Sequence, residues 1–456
     1  MAGRRRVSYL CGVGIVPSAG SPDQTRGASG YRRLRRLAEP PPGPFRRDFW
    51  RSPLRGPWLT SFLGTLLLPL IVIVAVTGLI SDGAYQPGLG LNSPFDRYGA
   101  LDVLIHLPAS SPAWIYAVTQ GLHITVGLVA IPLLLAKLWS VIPRLFAWPP
   151  ARGLGHLVER ASLLLLVGGA LFEFATGVLN IQVFYPWHFN FVREHYYGAW
   201  VFVAALTAHV LVKLPTIVHS YRALGFLRPL RDDLLHTRPE PAHLGSLVPV
   251  APAAPTLSRR GLLGLVGGAS AALLLVNLGE SVGGPLRRLA LLAPRGRDFG
   301  TGPNDFQVNK TALAAGVIAA ARDPQWKLTV RGARKMRLDR EALLRLPQHS
   351  YDLPIACVEG WSTTQRWTGV RLVDLADLVA ATREASMHAA SFQRGGAFRQ
   401  ATFTAAQVRD SRSLLALRVN GADLSLDHGY PARIIVPAVP GVHCTKWIGS
   451  LTFSNA

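Results

Sequence analysis

Hydrophobic positions along this chain gather into five long runs and then break into short ones. Residues 59–80 form a nearly unbroken apolar stretch without a charge, long enough to cross about 30 Å of hydrocarbon as a helix. Residues 114–138, 161–183 and 199–218 repeat the pattern, and 261–278 gives a fifth, shorter run rich in Gly and Ala. From about residue 295 the period changes. Short alternating runs at 327–330, 414–419 and 433–436 stand between Gly, Pro and Asp turns and predict strands, while 373–381 predicts a short helix. The fold class that follows is multi-domain: an α-helical membrane bundle of four spans plus a fifth anchoring span, then an α+β domain. The boundaries read as a basic tail at 1–57, a four-span domain at 58–222, a linker at 223–258, the fifth span at 259–280 and a C-terminal domain at 295–456.

Charge adds orientation. The formal charge of +22 does not form one basic stripe interleaved with aromatics, so no nucleic-acid partner is expected. Twelve Arg against three acids crowd the first 55 residues among Pro, Gly and Ser, which reads as a disordered tail, either solvated or lying beside anionic lipid heads. Such a tail stays inside. The connection 81–113, with three Asp and one Arg, suits the outside. Lys137, Arg144, Arg152 and Arg160 flank an inner turn, 184–198 reads as an outer aromatic belt, and the arginines between 222 and 260 mark an inner loop. The expected protein is a multi-pass cell-membrane protein with a cytoplasmic N-terminus and an extracytoplasmic C-terminal domain. Paired arginines in Thr256-Leu257-Ser258-Arg259-Arg260-Gly261 fit two readings: an internal twin-arginine-like export signal, or ordinary positive flanking.

Two sets of residues carry candidate chemistry. His123 lies within the second run, and His195 and His209 flank and enter the fourth. Ionisable side chains inside a bilayer are costly and point to function. The fourteen positions from His195 to His209 make close to four turns, about 21 Å, so both imidazoles face one side of a helix. The second set centres on Cys357, at the end of the apolar run Leu353-Pro354-Ile355-Ala356 and before Val358-Glu359-Gly360-Trp361-Ser362. Its thiolate suits a redox metal, while the plain alternative is a small buried hydrophobe. Three cysteines, one of them Cys11 in the tail, exclude a disulfide framework. Cys357 and Cys444 could pair outside the cytoplasm, but a metal-ligand role for Cys357 argues against it.

Over roughly residues 58–221 the chain resembles the cytochrome b membrane subunits of bacterial respiratory enzymes, in which one helix supplies two histidines fourteen apart. The resemblance implies a b-type haem held by His123 and one of His195 or His209, with His209 the favoured partner. The first span lacks the histidine common in two-haem members, so one haem is the simpler expectation and two the other. His106 in the outer loop is a further candidate for an outer haem, and His156 and His219 read as interfacial.

The C-terminal region resembles the sulfite-oxidase superfamily of molybdenum enzymes, with the nearest match to its periplasmic methionine-sulfoxide-reductase branch. The resemblance rests on Cys357-Val358-Glu359-Gly360-Trp361-Ser362, on Val419-Asn420-Gly421 running to His428-Gly429-Tyr430-Pro431-Ala432-Arg433, and on Val436-Pro437 through Gly441 to Lys446-Trp447-Ile448. It implies a sulfite-oxidase-like molybdopterin domain with Cys357 as the molybdenum ligand. It further implies that Arg433 and Lys446 pair with the pterin phosphate, that His428 hydrogen-bonds the pterin or its phosphate, and that Gly429 and Gly441 allow close backbone approach. Trp447 would lie against the pterin and Asn304 near the metal, while Glu359 would carry a proton, brace the loop, or simply be an exposed turn acid. Sulfite-oxidising members have a Gly-Asn-Arg run after the cysteine, where this chain reads Glu-Gly-Trp-Ser, which disfavours sulfite. The chain ends at Ala456 just after the last motif, so a monomeric catalytic unit is expected. The implied function is a membrane-bound oxidoreductase carrying Mo-molybdopterin and haem b. It would exchange an oxygen atom with a small substrate, favouring S- or N-oxide reduction, and pass electrons to or from quinone. The alternative is a haem-based electron carrier whose tail domain is a non-catalytic binding module.

Overall fold

The computed structural model describes residues 39–84, 111–149 and 153–454. Cys11, most of the basic tail, His106 and Arg152 fall outside the described residues, as does the His156 side chain. Among the described residues, five helices are long and apolar enough to cross a membrane. They are α1 (Pro57–Gly83), α2 (Ile115–Leu145), α3 (Leu154–Ile181), α4 (Phe191–Leu224) and α5 (Arg259–Val282).

Local chemistry sets their ends. Pro57 opens α1, where its missing N–H costs nothing. The Glu240 carboxylate from the linker accepts from the N–H groups of Trp58 (2.8 Å) and Leu59 (3.1 Å), an anion at a helix N-terminus. Asn190 and Ser258 cap α4 and α5 by accepting from Arg193 N and Gly261 N. Arg259, the first arginine of the pair, is buried and donates to Arg238 O at 2.9 Å. Helix α1 packs along α2, α3 along α4, and α5 lies on α2. There, Asn277 Nδ2 donates to Thr125 Oγ1 at 3.1 Å. Many side chains on the outer faces, such as Leu164, Leu211 and Leu265, are exposed apolar groups, as lipid-facing helices require.

The C-terminal domain holds two sheets among the described residues. The first runs β2-β1-β10-β5-β6: Lys335–Leu338, Leu328–Arg331, Ile448–Ser454, Ser386–Ser391 and Gln400–Phe403. Strands β1 and β10 are parallel and the other neighbours antiparallel. The second runs β3 (His349–Ala356), β4 (Ser362–Arg371), β7 (Leu414–Val419) and β8 (Ala422–Asp423), with β9 (Arg433–Ile435) also on β7. Their inner faces enclose one core containing Leu328, Trp367, Leu415, Ile434 and Leu451, all buried. Helix α6 (Leu372–Leu378) covers one side, burying Leu372, Leu375 and Ala376. The result is the α+β domain that the alternating runs predict. Cys357 follows β3, and the His428 segment leads into β9. Lys446 precedes β10, so the sheets bring all three to one cleft.

Candidate active site and intramembrane histidine pair

After β3 the chain turns sharply. Gly360 N donates to Cys357 O (3.0 Å) and Cys357 N donates to Trp361 O (2.9 Å). Gly360 carries a φ of +98°, and a Cβ there would come within 2.7 Å of Ile124 Cδ1 on α2. Only glycine meets both demands. The turn aims Cys357 into a cleft lined by Phe306, Gln307, Asn309, Ile355, Trp361, His428, Arg433, Gly441 and Lys446. Burial, with Glu359 nearby, pushes the Cys357 thiol well above its ordinary range, so this thiol ionises only beside a strong positive charge. Cys357 and Cys444 are both buried free thiols.

The same cleft holds two cations, Arg433 buried and Lys446 half-buried. Arg433 donates to His428 O and Cys444 O, each at 3.1 Å, and its Nε has no partner. Burial lowers its pKa to about 10. Lys446 Nζ donates to Lys310 O (2.5 Å) and Asp427 O (2.9 Å); burial, then Arg433, drives its pKa well below the ordinary lysine value. Gly429, at φ +109°, lies between them, where a Cβ would stand 3.0 Å from Arg433 Cβ and 3.1 Å from Lys446 Cβ. His428 stacks on Phe306 (centroids 3.7 Å), and its Nε2 lies 2.9 Å from Asn304 O. Burial, Arg433 and Lys446 hold it neutral, with its pKa lowered to about 3. A buried thiol and two cations with carbonyl partners form a donor set for an anionic ligand that also carries a metal. The residues fit a molybdopterin: Cys357 for the metal, Arg433 and Lys446 for the phosphate, His428 for a polar edge.

One expected position changes, and one choice among roles is narrowed. The Asn304 amide is used by Asp423 O (2.9 Å) and Ser425 N (2.7 Å), so it clips the loop before His428 instead of reaching the cleft wall. Glu359 is buried and engaged twice by Arg295 (2.9 and 2.6 Å) and once by Trp361 Nε1 (3.1 Å). It therefore braces the cysteine turn and does not line the cleft. Trp447 Nε1 donates to Leu426 O at 2.7 Å and its ring lies under the Lys446 ammonium, so it holds that lysine from behind. Gln307 and Asn309 were not singled out from sequence; a polar pair just past a loop asparagine carries no local signature.

The cysteine turn touches the bundle directly. Gln120 Nε2 on α2 donates to Val358 O (2.9 Å), and Ser281 Oγ on α5 donates to Gly360 O (2.9 Å). Val358 also lines an apolar cavity between the helices, whose wall includes His123, His195, Glu173 and Thr176. There the two imidazoles face each other, with ring centroids 6.1 Å apart and planes at 85°. His123 Nδ1 donates to Val74 O at 2.9 Å, and because a carbonyl only accepts, Nε2 is left with its lone pair. His195 Nδ1 is anchored 2.9 Å from Thr176 Oγ1 and 3.1 Å from Glu173 Oε2. Metal-bound histidines are held in this way through the second nitrogen. Two nitrogen–metal bonds of about 2 Å, plus the step from nitrogen to ring centre on each side, add to about 6 Å. A metal held between two imidazoles, such as a haem iron, would find His123 and His195 at this spacing. His209 does not join it: that side chain lines a separate cavity with Lys137 and Lys213. The partner brought to His123 is His195, against the pairing favoured from sequence. A lone acid in an apolar span, Glu173, was the signal that could have decided it.

Residues 315–456 match the family model for the oxidoreductase molybdopterin binding domain. Mitochondrial sulfite oxidase of Rattus norvegicus is 29% identical over 210 residues, 38% of this chain and 38% of that protein. The Homo sapiens mitochondrial enzyme is 36% identical over 101 residues, 20% of this chain and 18% of that protein. An uncharacterized oxidoreductase of Bacillus subtilis (strain 168), YuiH, is 29% identical over 134 residues, 29% of this chain and 66% of that protein. Among solved structures, the sulfane dehydrogenase SoxCD of Paracoccus pantotrophus aligns with 23% identity and a TM-score of 0.27, covering 29% of this chain and 39% of that one. The chain spans well under half the length of the sulfite oxidases it matches, 38% for the rat enzyme. Cleft and match together define a molybdopterin-binding oxidoreductase domain. The C-terminal domain of this chain belongs to the sulfite-oxidase superfamily.

Proposed function

We propose that this protein is a membrane-bound molybdenum oxidoreductase that exchanges an oxygen atom with a small substrate and trades electrons with the quinone pool through a b-type haem. The observation that carries this reading is the seat of the cysteine turn. Val358, next to Cys357, is hydrogen-bonded to α2 and lines the cavity that holds His123 and His195. When bound, the molybdenum cofactor supplies two-electron oxygen transfer and the haem supplies single-electron relay. The chain's own part is positioning. Cys357 holds the metal, Arg433 and Lys446 neutralise the pterin phosphate, and Phe306 and Trp361 wall off water. His123 and His195 would hold the haem iron.

Reduction of a neutral S- or N-oxide is favoured over oxidation of sulfite. The two cations on the described cleft wall, Arg433 and Lys446, are the ones that suit the pterin phosphate, leaving Phe306, Ile355 and Trp361 around Cys357. A dianionic substrate finds no further cation on that wall. In the favoured orientation the basic N-terminus is cytoplasmic and the C-terminal domain lies outside. Metal analysis and a reduced-minus-oxidised haem spectrum on one purified preparation test the reading. One molybdenum per chain, lost in Cys357→Ser while the haem bands persist, supports it. Well-folded wild-type protein without molybdenum, or without haem, sinks it.

A further inference from the structure

Fourteen positions beyond His123 on α2 stands Lys137, and fourteen beyond His195 on α4 stands His209. Because fourteen residues make nearly four turns, each lies on the same helix face as the histidine before it, about 21 Å further along. The two helices thus repeat one facing arrangement at two levels. The first is imidazole against imidazole. The second sets an ammonium and an imidazole in the wall of one cavity of about 980 Å³, away from the molybdopterin domain.

That second cavity is a built site. Lys137 Nζ donates to Thr60 O at 2.5 Å, and Gly64 leaves the ammonium its place: a Cβ there would stand 3.0 Å from Nζ. An ammonium has three donors, so two remain after Thr60. Much of the wall is apolar, with Leu67, Leu134 and Leu166 among it, and Arg144, Arg160 and Lys213 join Lys137 as cations on it. Among its described residues there is no carboxylate, and besides His209 no imidazole, thiol or thioether. A second haem held by two such ligands therefore lacks its opposing group. Ile71 and Phe202 belong to the walls of both this cavity and the His123–His195 cavity, so the two spaces are neighbours.

We propose that this cavity binds the ring of a quinone, with one carbonyl oxygen accepting from Lys137, the opposite one from His209, and the isoprenoid tail along the apolar wall. A quinone meets this wall with an apolar body and with carbonyl acceptors for its cations and imidazole. The absence of acids from the described wall favours it further, because nothing there repels a carbonyl or its deprotonated reduced form. The proposal rests on the electron-transfer reading above for its role, and on the cavity alone for binding.

The test uses the full chain in lipid nanodiscs, equilibrated with a ubiquinone analogue bearing a ten-carbon tail. Bound quinone, haem, molybdenum and phospholipid are each quantified. Wild type is expected to hold one quinone per chain. Lys137→Met and His209→Phe each weaken binding by roughly tenfold or more, the loss expected for one hydrogen bond to a charged or strongly polar donor. Lys137→Gln and His209→Asn, which keep a donor, restore part of it. The dithionite-reduced haem bands stay in both variants. Unchanged quinone binding in Lys137→Met overturns the proposal. So does a second haem lost in His209→Phe, or an anionic phospholipid lost from both variants while quinone binding persists. If one variant loses molybdenum and fails to fold, the other carries the test. A wild-type protein without haem would sink the electron-transfer reading while leaving the quinone measurement intact.

Discussion

Gln120, in the second membrane helix, donates a hydrogen bond to the carbonyl of Val358, the residue after the cysteine of the molybdopterin cleft, at 2.9 Å. The bond couples two domains that differ in composition and period. Ser281 Oγ to Gly360 O (2.9 Å) and Ser362 Oγ to Ser281 O (2.7 Å) add a second seam on α5. The cysteine turn and the histidine cavity thus meet at one junction, where Val358, next to Cys357 of the cleft, lines the cavity.

The junction makes Gly360 sensitive. Gly360→Ala places a Cβ against Ile124 at a φ of +98°. The left-handed backbone alone costs about 1–2 kcal/mol for an L-residue, and the collision adds to it. The expected outcome is a shifted cysteine turn, with reduced molybdenum content but intact haem bands. Molybdenum per haem is the measurement, and an unchanged ratio would refute the docked turn.

The histidine pair gives a spectroscopic prediction. On the proposed haem reading, His123→Ala and His195→Ala should each abolish the reduced-haem absorption bands, while His209→Ala keeps them. Thr176→Val leaves haem bound but alters its spectrum, because it removes one of the two anchors of His195 Nδ1. Loss of the bands in His209→Ala with retention in His195→Ala would restore the pairing that sequence favours.

What was legible before the fold, and what was not, divides along this pair. Hydropathy marked all five helices, since a charge-free run has few other uses: 59–80 became Pro57–Gly83 and 261–278 became Arg259–Val282. Alternation marked β7 at Leu414–Val419, which pairs with β4 in the sheet that carries Cys357. Helical spacing places His195 and His209 on one face but cannot say which level meets His123. That depends on Glu173 and Thr176 of another helix. Likewise the sequence put Asn304 near the metal by motif, whereas its amide is taken up by the loop at Asp423 and Ser425. Such a choice is made by tertiary partners, not by neighbours in the chain.

Acid should loosen the C-terminal domain. His428 is held neutral by burial, Arg433 and Lys446, with its pKa lowered to about 3, and burial lowers that of His443 to about 4. Both titrate near 6.5 when unfolded. Since the folded values lie below the unfolded one, the unfolded chain takes up protons first as pH falls. This stability is complete above about pH 6.5 and declines below it, by up to about 1.4 kcal/mol per pH unit for each histidine. Thermal unfolding of the domain between pH 7 and 5 should show the decline, with a shallower slope in His443→Gln. Equal slopes would show that His443 does not contribute.

Lys446 offers a prediction in which stability and function move in opposite directions. Its ammonium is buried beside Arg433, with carbonyl oxygens of Lys310 and Asp427 as its hydrogen-bond acceptors. In protein prepared without the cofactor, Lys446→Met removes a desolvated charge from beside another. It should raise the thermal midpoint, by on the order of 1 kcal/mol in stability. In protein prepared with the cofactor, the same change removes a phosphate partner and should lower molybdenum content, and the midpoint gain should vanish or reverse because ligand linkage is lost. Measuring both preparations separates the two effects. A Lys446→Met protein that retains full molybdenum would show that the lysine serves the fold and not the pterin.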